Sequence, residues 1–221
     1  MQETELLRAL PKSKRNVPAR EDAKSKDLEV VRVAKLYGEM YFDGPRDYGY
    51  GGYRYDGRWK PVARDMIEHF NLSAGDRVLD IGCAKGFLVH DLMQECPGLE
   101  VFGLDISEYA LKHCPPEVIG RLHLGNANSL PFPDASFDAV ISLNTLHNFD
   151  REGVKTVIGE MERVSRRDGN SFIQVDSYRS PEQRALFMDW VLTADFHDYP
   201  DGWVKLFKEA GYKGDYYWTI L

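Results

Sequence analysis

The residues best equipped for chemistry gather in VLDIGCAKGF, residues 78–87. A short apolar run ends in Asp80, a glycine-rich turn follows, and the next helix is predicted to open near Gly86. Glycine lets a backbone approach a ligand closely, and the first N–H groups of a helix have no partners of their own. Such a turn also serves dinucleotides, whose fingerprint is G-x-G-x-x-G. Here the spacing is instead Asp80-x-Gly82-x-Ala84-x-Gly86. An acid at the strand end would repel a pyrophosphate and suits a ligand carrying an ammonium group. A turn that only packs strand against helix is the bland alternative. Asp105, nineteen residues after Gly86, closes the run VFGLD, and an acid there can accept both hydroxyls of a ribose. In GNANSLPFPDASFDAVIS (125–142) the pair Asn126-Ala127 stands at the end of a further short strand.

These residues need a scaffold, and the hydrophobic pattern predicts one. Strand-like runs at 77–82, 100–107, 121–127, 137–146 and 171–179 alternate with helical spacing at 86–96, 108–114 and 153–166. That alternation implies an α/β protein with a doubly wound, mostly parallel sheet. Helices are expected at 28–41 and 61–71 before the sheet, and at 181–196 and 201–211 after it, with a last strand at 215–221. Residues 1–27 mix both charges with Pro11 and Pro18 and read as a mobile or loosely docked arm. Residues 28–221 then form a single domain: helices and an aromatic loop over 28–72, a ligand-binding core over 73–180, and a lid helix with a final helix and strand over 181–221.

The combined motifs VLDIGCAKGF, VFGLDIS, GNANSLPFPDASFDAVIS and the following LNTLH resemble the class I S-adenosylmethionine-dependent methyltransferases, in the small-molecule branch called methyltransferase type 11. The resemblance covers about residues 60–180. It implies a Rossmann-like sheet of six or seven strands, S-adenosylmethionine as cofactor and S-adenosylhomocysteine as product. By that resemblance Asp80, Gly82, Cys83, Ala84 and Gly86 shape the pocket for the methionyl part of the cofactor. Asp105 binds the ribose, Ile106 lies against the adenine, Asn126 and Ala127 sit at the adenine edge, and Leu143 and Asn144 approach the sulfonium. Two positions depart from the commonest pattern: Ala84 replaces a glycine, and Asn126 an aspartate. Alanine is tolerated if φ is negative there, and an Asn carbonyl still accepts from an adenine amino group. Members commonly end in an antiparallel pair of strands, whereas only DYYWTIL follows the last predicted helix. The exposed edge this would leave makes a homodimer an expectation.

Methyl transfer from a sulfonium is an in-line displacement, so alignment in a dry site matters most. A neutral hydroxyl or protonated amine must also lose a proton, and His147 in LNTLHN is the best-placed candidate base; packing beside the cofactor is its other reading. His197 in the DFHDYP segment is a second candidate that could face the site. Tyr178 and Arg179 follow the fifth strand, and Arg179 suits an anionic substrate group or a surface ion pair. Six of the twelve tyrosines fall within residues 37–55. From that stretch Tyr48, Tyr50, Tyr53 and Tyr55, with Arg58 and Trp59 beyond it, are expected to wall a substrate site; covering an apolar patch or a dimer surface is the alternative.

Composition narrows the partners. Acids outnumber bases 35 to 28, for a net charge of −7, which counts against a nucleic-acid partner. No apolar run reaches the eighteen or more residues that a membrane span requires, so a cytoplasmic location is expected. Three cysteines, Cys83, Cys96 and Cys114, without C-x-x-C spacing predict neither a disulfide nor a structural metal site. The expected activity is methyl transfer to an oxygen or nitrogen of a small molecule such as a sugar or a nucleotide-linked precursor. An RNA or protein methyltransferase, or a non-catalytic cofactor-binding module, are the alternatives.

Overall fold

Consecutive apolar residues along the strands send side chains alternately to the two faces of a sheet, and two separate cores form as a result. In a computed structural model, which describes residues 1–10 and 27–220, that sheet has six strands. The chain runs through α1 (Leu28–Ala34), α2 (Glu39–Phe42) and α3 (Lys60–Phe70) into β1 (Arg77–Ile81) and α4 (Phe87–Glu95). It continues as β2 (Glu100–Asp105), α5 (Glu108–Lys112), β3 (Leu122–Leu124) and β4 (Ala139–Leu143). Then come α6 (Arg151–Val164), β5 (Ser171–Ser177), α7 (Pro181–Trp190), α8 (Pro200–Glu209) and β6 (Asp215–Ile220). The strand order is β3-β2-β1-β4-β5-β6, every neighbouring pair is parallel, and the predicted doubly wound α/β fold is present.

Val78, Val101, Ile141 and Phe172 pack with Val62, Met66, Leu88 and Leu92 of α3 and α4. Leu79, Val140 and Ile173 pack on the other face with Val157, Met161, Trp203 and Phe207 of α6 and α8. The order reverses between β1 and β4, and open sheets of this kind hold ligands outside the carboxyl ends of the strands at that switch.

Several boundaries differ from the sequence reading. The helix expected over 28–41 breaks at Tyr37, whose φ is +48°, and α2 restarts beyond Gly38. The helix expected over 181–196 stops at Trp190, because Val191 turns extended. Residues 191–196 then fold back, where Asp195 and Phe196 donate their N–H groups to the His147 carbonyl at 2.9 and 3.1 Å. The N-terminal stretch, read as a mobile or loosely docked arm, is docked over its first ten residues: Leu6 and Leu7 are buried beside α3. Residues 11–26 of that arm lie outside the described residues. The Tyr216 N–H donates to Gln2 O and the Thr4 N–H to Tyr216 O, so the first residues occupy part of the β6 edge that was expected to be bare.

Candidate active site

The turn after β1 alternates left-handed residues: Gly82, Ala84 and Gly86 have φ of +78°, +51° and +73°. The expectation that φ is negative at Ala84 is therefore wrong, and the alanine bears a conformational cost of about 1–2 kcal/mol. What holds it is the Ala84 N–H, which donates to Asp105 Oδ2 at 2.7 Å. Three more N–H groups of the turn are also engaged, Gly82 and Cys83 with Leu104 O and Gly86 with Cys83 O. Alternating left- and right-handed residues form a concavity that binds anions, and here the anion is the protein's own carboxylate. Asp105 Oδ1 accepts a second N–H, from Ser107, at 2.8 Å.

Asp80 is buried and makes no hydrogen bond with any described residue. Burial, and then the charge of Asp105, push its carboxyl up to about 7. Asp105 is raised as well, by burial, with the N–H bonds from Ser107 and Ala84 working against that. Two carboxylates thus face one crevice, and no cation among the described residues neutralises Asp80.

Three adjoining cavities open at the strand ends. The first, about 770 Å³ with its mouth, is lined by Gly82, Ala84, Asp105, Ile106, Asn126, Ala127, Leu143 and Asn144, all expected cofactor residues. Tyr37, Tyr41 and Phe42 close it from the N-terminal side, and the sequence reading had not assigned them. The second lies at Asp80 and Cys83, under Tyr53 and Trp59. The third, about 1000 Å³, is lined by His147, Asp176, Arg46, Arg58 and the 190–193 segment. Tyr50 and Asn144 line all three. Asn144 is itself left-handed, at φ +54°. Gln174 holds it there, accepting its N–H at 2.9 Å and donating from Nε2 to its Oδ1 at 3.0 Å.

Other expected residues lie elsewhere. Gly86 packs against β3, where a Cβ would meet Leu122 at 2.9 Å, and it lines none of the three cavities. Tyr48 is outside them too, in a short turn over Arg46–Tyr48. Tyr55 reaches the opposite way and donates its O–H to Asp91 Oδ1 at 2.6 Å. Tyr178 is buried among Phe187, Val191 and Tyr199, and His197 Nδ1 lies 2.8 Å from its hydroxyl. Arg179 is exposed and pairs with Glu3 at 3.6 Å. His147 does line the third cavity, but the Asp176 N–H donates to its Nδ1 over a long 3.4 Å. Asp176, buried on the same wall, is the carboxylate the sequence reading passed over.

A parallel sheet with a cavity at its switch point and buried acids at the ends of β1 and β2 defines an α/β protein whose crevice has the shape and charge to suit a nucleoside-like ligand carrying positive charge. The sequence profile Methyltransf_11, described as a methyltransferase domain, matches residues 79–173. Demethylmenaquinone methyltransferase from Symbiobacterium thermophilum is 27% identical over 203 residues, covering 75% of this chain and 80% of its own. The 2-methyl-6-phytyl-1,4-hydroquinone methyltransferase of a Synechocystis species is 31% identical over 131 residues, covering 50% of this chain and 41% of its own. The crystal structure of YcgJ from Bacillus subtilis superimposes with a TM-score of 0.54 at 23% identity, over 67% of this chain and 66% of that one. Residues 79–173 thus match a methyltransferase domain, and the chain as a whole is similar to methyltransferases in sequence and to methyltransferase structures in fold.

Proposed function

We propose that this enzyme binds S-adenosylmethionine across the first two cavities and methylates an oxygen or nitrogen of a flat, polar small molecule held in the third. The observation that carries the reading is the pair of buried carboxylates, one of them without a partner, flanking a cavity whose floor has no room for a side chain. A Cβ at Gly82 would overlap the Thr145 side chain, so the turn is already as close to the sheet as backbone can come. Asp80 suits the ammonium of the cofactor's methionyl end, and an ion pair there offsets the burial of its charge. Asp105 keeps acceptor capacity on both oxygens for ribose hydroxyls after its two backbone bonds are made. The adenine would lie between Ile106 and the Tyr37–Tyr41 wall, with Asn126 at its edge.

The cofactor, when bound, supplies an activated methyl group on a positively charged sulfur. We place the meeting of donor and acceptor at Tyr50 and Asn144, because these two residues line all three cavities. His147 and Asp176 line the same wall, and we assign to that pair the proton that a hydroxyl or amine acceptor loses. The aromatic faces of Tyr50 and Trp190, with Arg46 and the Asp56-paired Arg58 on the same wall, favour a ring that bears polar groups. The relatives include quinone-ring methyltransferases, which supports a flat acceptor.

Calorimetric titration with S-adenosylhomocysteine tests the cofactor half. Wild type should bind, and Asp105→Ala should bind at least about a hundredfold more weakly, because two charge-assisted hydrogen bonds of about 1.5–3 kcal/mol each are lost. Full affinity in Asp105→Ala would overturn the site.

A further inference from the structure

Lys85 sits inside the cofactor turn, between Ala84 and Gly86, yet its side chain leaves the cofactor cavity altogether. It is buried, with only 5% of its surface exposed. Its Nζ donates to Asp43 Oδ1 and Oδ2 at 2.8 and 2.6 Å and to the Tyr53 carbonyl at 2.8 Å. Lysine is among the residues least often buried, and it stays so only when paired. The pairing here crosses from the sheet to the segment that carries the tyrosine walls. Asp43 also accepts the Tyr109 O–H from α5 at 2.8 Å and the Tyr53 N–H at 3.2 Å. Immediately before it, the Tyr41 carbonyl accepts the Tyr50 N–H, and the Phe42 carbonyl accepts the N–H groups of Gly52 and Tyr53. One carboxylate therefore joins the glycine turn, the helix after Asp105 and the platform bearing Tyr41, Tyr50 and Tyr53.

We infer that Lys85 is a positioning residue: its ion pair with Asp43 fixes the tyrosine walls over the cofactor turn, so that cofactor retention and the shape of the acceptor cavity depend on one contact. This rests on the cofactor reading given above for its ligand, but not for the contact itself. Tyr41 and Tyr50 line both the cofactor cavity and the acceptor cavity, so a platform that drifts opens both at once. A loop held only by its own packing would not need a cation supplied from within the glycine turn. Lys85 lines none of the three cavities, so it acts on ligands indirectly, through the platform it holds and the turn that carries it.

Lys85→Met keeps the apolar stem and removes the charge, while leaving Asp43 partly exposed and able to be hydrated. Amide hydrogen exchange on the full chain without ligand should show residues 39–56 exchanging about tenfold faster in Lys85→Met, with β1, β4 and β5 unchanged. Stopped-flow displacement should show S-adenosylhomocysteine leaving about tenfold faster. Asp43→Asn should reproduce both effects, and the double variant should be no worse than either single one, as coupled partners require. Unchanged exchange in 39–56, a uniform rise across the sheet, or additive effects in the double variant would each overturn the inference. Should Lys85→Met fail to fold, Asp43→Asn alone decides the same question by the same measurements. If wild type does not bind S-adenosylhomocysteine, the cofactor reading falls, and the exchange experiment still decides the role of Lys85.

Discussion

Replacing Asp80 with asparagine should make the protein more stable and its cofactor affinity worse, and the first effect should depend on pH. The Asp80 carboxyl lies near 3.8 when solvated and is pushed up to about 7 in the fold, by burial first and by Asp105 second. The folded protein therefore holds that proton more tightly than the unfolded chain does. Asp80 costs nothing below about pH 4, costs progressively more as pH climbs from 3.8 to about 7, and exerts its full penalty above that. A shift of about three units is worth about 4 kcal/mol at most, since each unit is about 1.4 kcal/mol. Asparagine at this position has the same shape and no charge to bury. The advantage of Asp80→Asn over wild type should therefore grow by about 3 kcal/mol between about pH 5 and about pH 8. For a chain of this size that is roughly 6–12 °C in Tm at the upper end. Differential scanning calorimetry of both proteins at the two pH values, without ligand, measures it. Titration with S-adenosylhomocysteine at the higher pH should meanwhile show the variant binding about 10–100-fold more weakly, from the loss of one charge-assisted hydrogen bond. A variant that is less stable at the higher pH, or whose advantage is the same at both pH values, would refute the claim that Asp80 is an uncompensated buried charge.

Gly82→Ala forces a Cβ into the Thr145 side chain at a φ of +78°. It should cost about 2 kcal/mol or more by thermal melting and leave no measurable S-adenosylhomocysteine binding; Thr145→Ala in the same chain should recover part of the stability. Tyr55→Phe removes the O–H donor to Asp91, a fully buried carboxylate whose Oδ2 has no partner. Stability should fall by about 1–3 kcal/mol while S-adenosylhomocysteine affinity stays within about twofold; unchanged stability with weakened ligand binding would return Tyr55 to the substrate wall.

The sheet was legible because its pattern is carried locally. Alternating apolar runs separated by helical spacing determine strand, helix and face without reference to anything distant, and the glycine turn announces itself by residue type. Cofactor-side positions follow from the turn because strand ends are adjacent in any such sheet. The aromatic loop was a different matter. Its composition marked it as a surface that does something, but not which way each ring points. Tyr50 turns to the cavities and Tyr55 away from them because Asp91 and Lys85, far along the chain, hold opposite sides of the loop. No spacing rule connects 55 to 91 or 43 to 85. Ala84 failed for a related reason: its sign of φ is set by the Asp105 carboxylate that captures its N–H, twenty-one residues away. Arg179 followed a strand end, a good general signal, but the chain had already turned toward the N-terminal residues, where Glu3 meets it.

The same capture decides what charge the site accepts. A glycine-rich turn at the switch point of a parallel sheet ordinarily offers free N–H groups to a phosphate. In this chain the N–H groups of Gly82, Cys83, Ala84 and Gly86 are spent on Leu104, Cys83 and the carboxylate of Asp105, and a second carboxylate, Asp80, stands unpaired at the strand end. The turn has been used to build negative potential where a dinucleotide fold builds positive potential. A pyrophosphate would meet two acids. A ligand with an ammonium, a sulfonium and two ribose hydroxyls would meet a counter-ion and acceptors at each. The residue types along the turn are nearly the same in the two cases, and the difference lies in who receives the backbone hydrogen bonds.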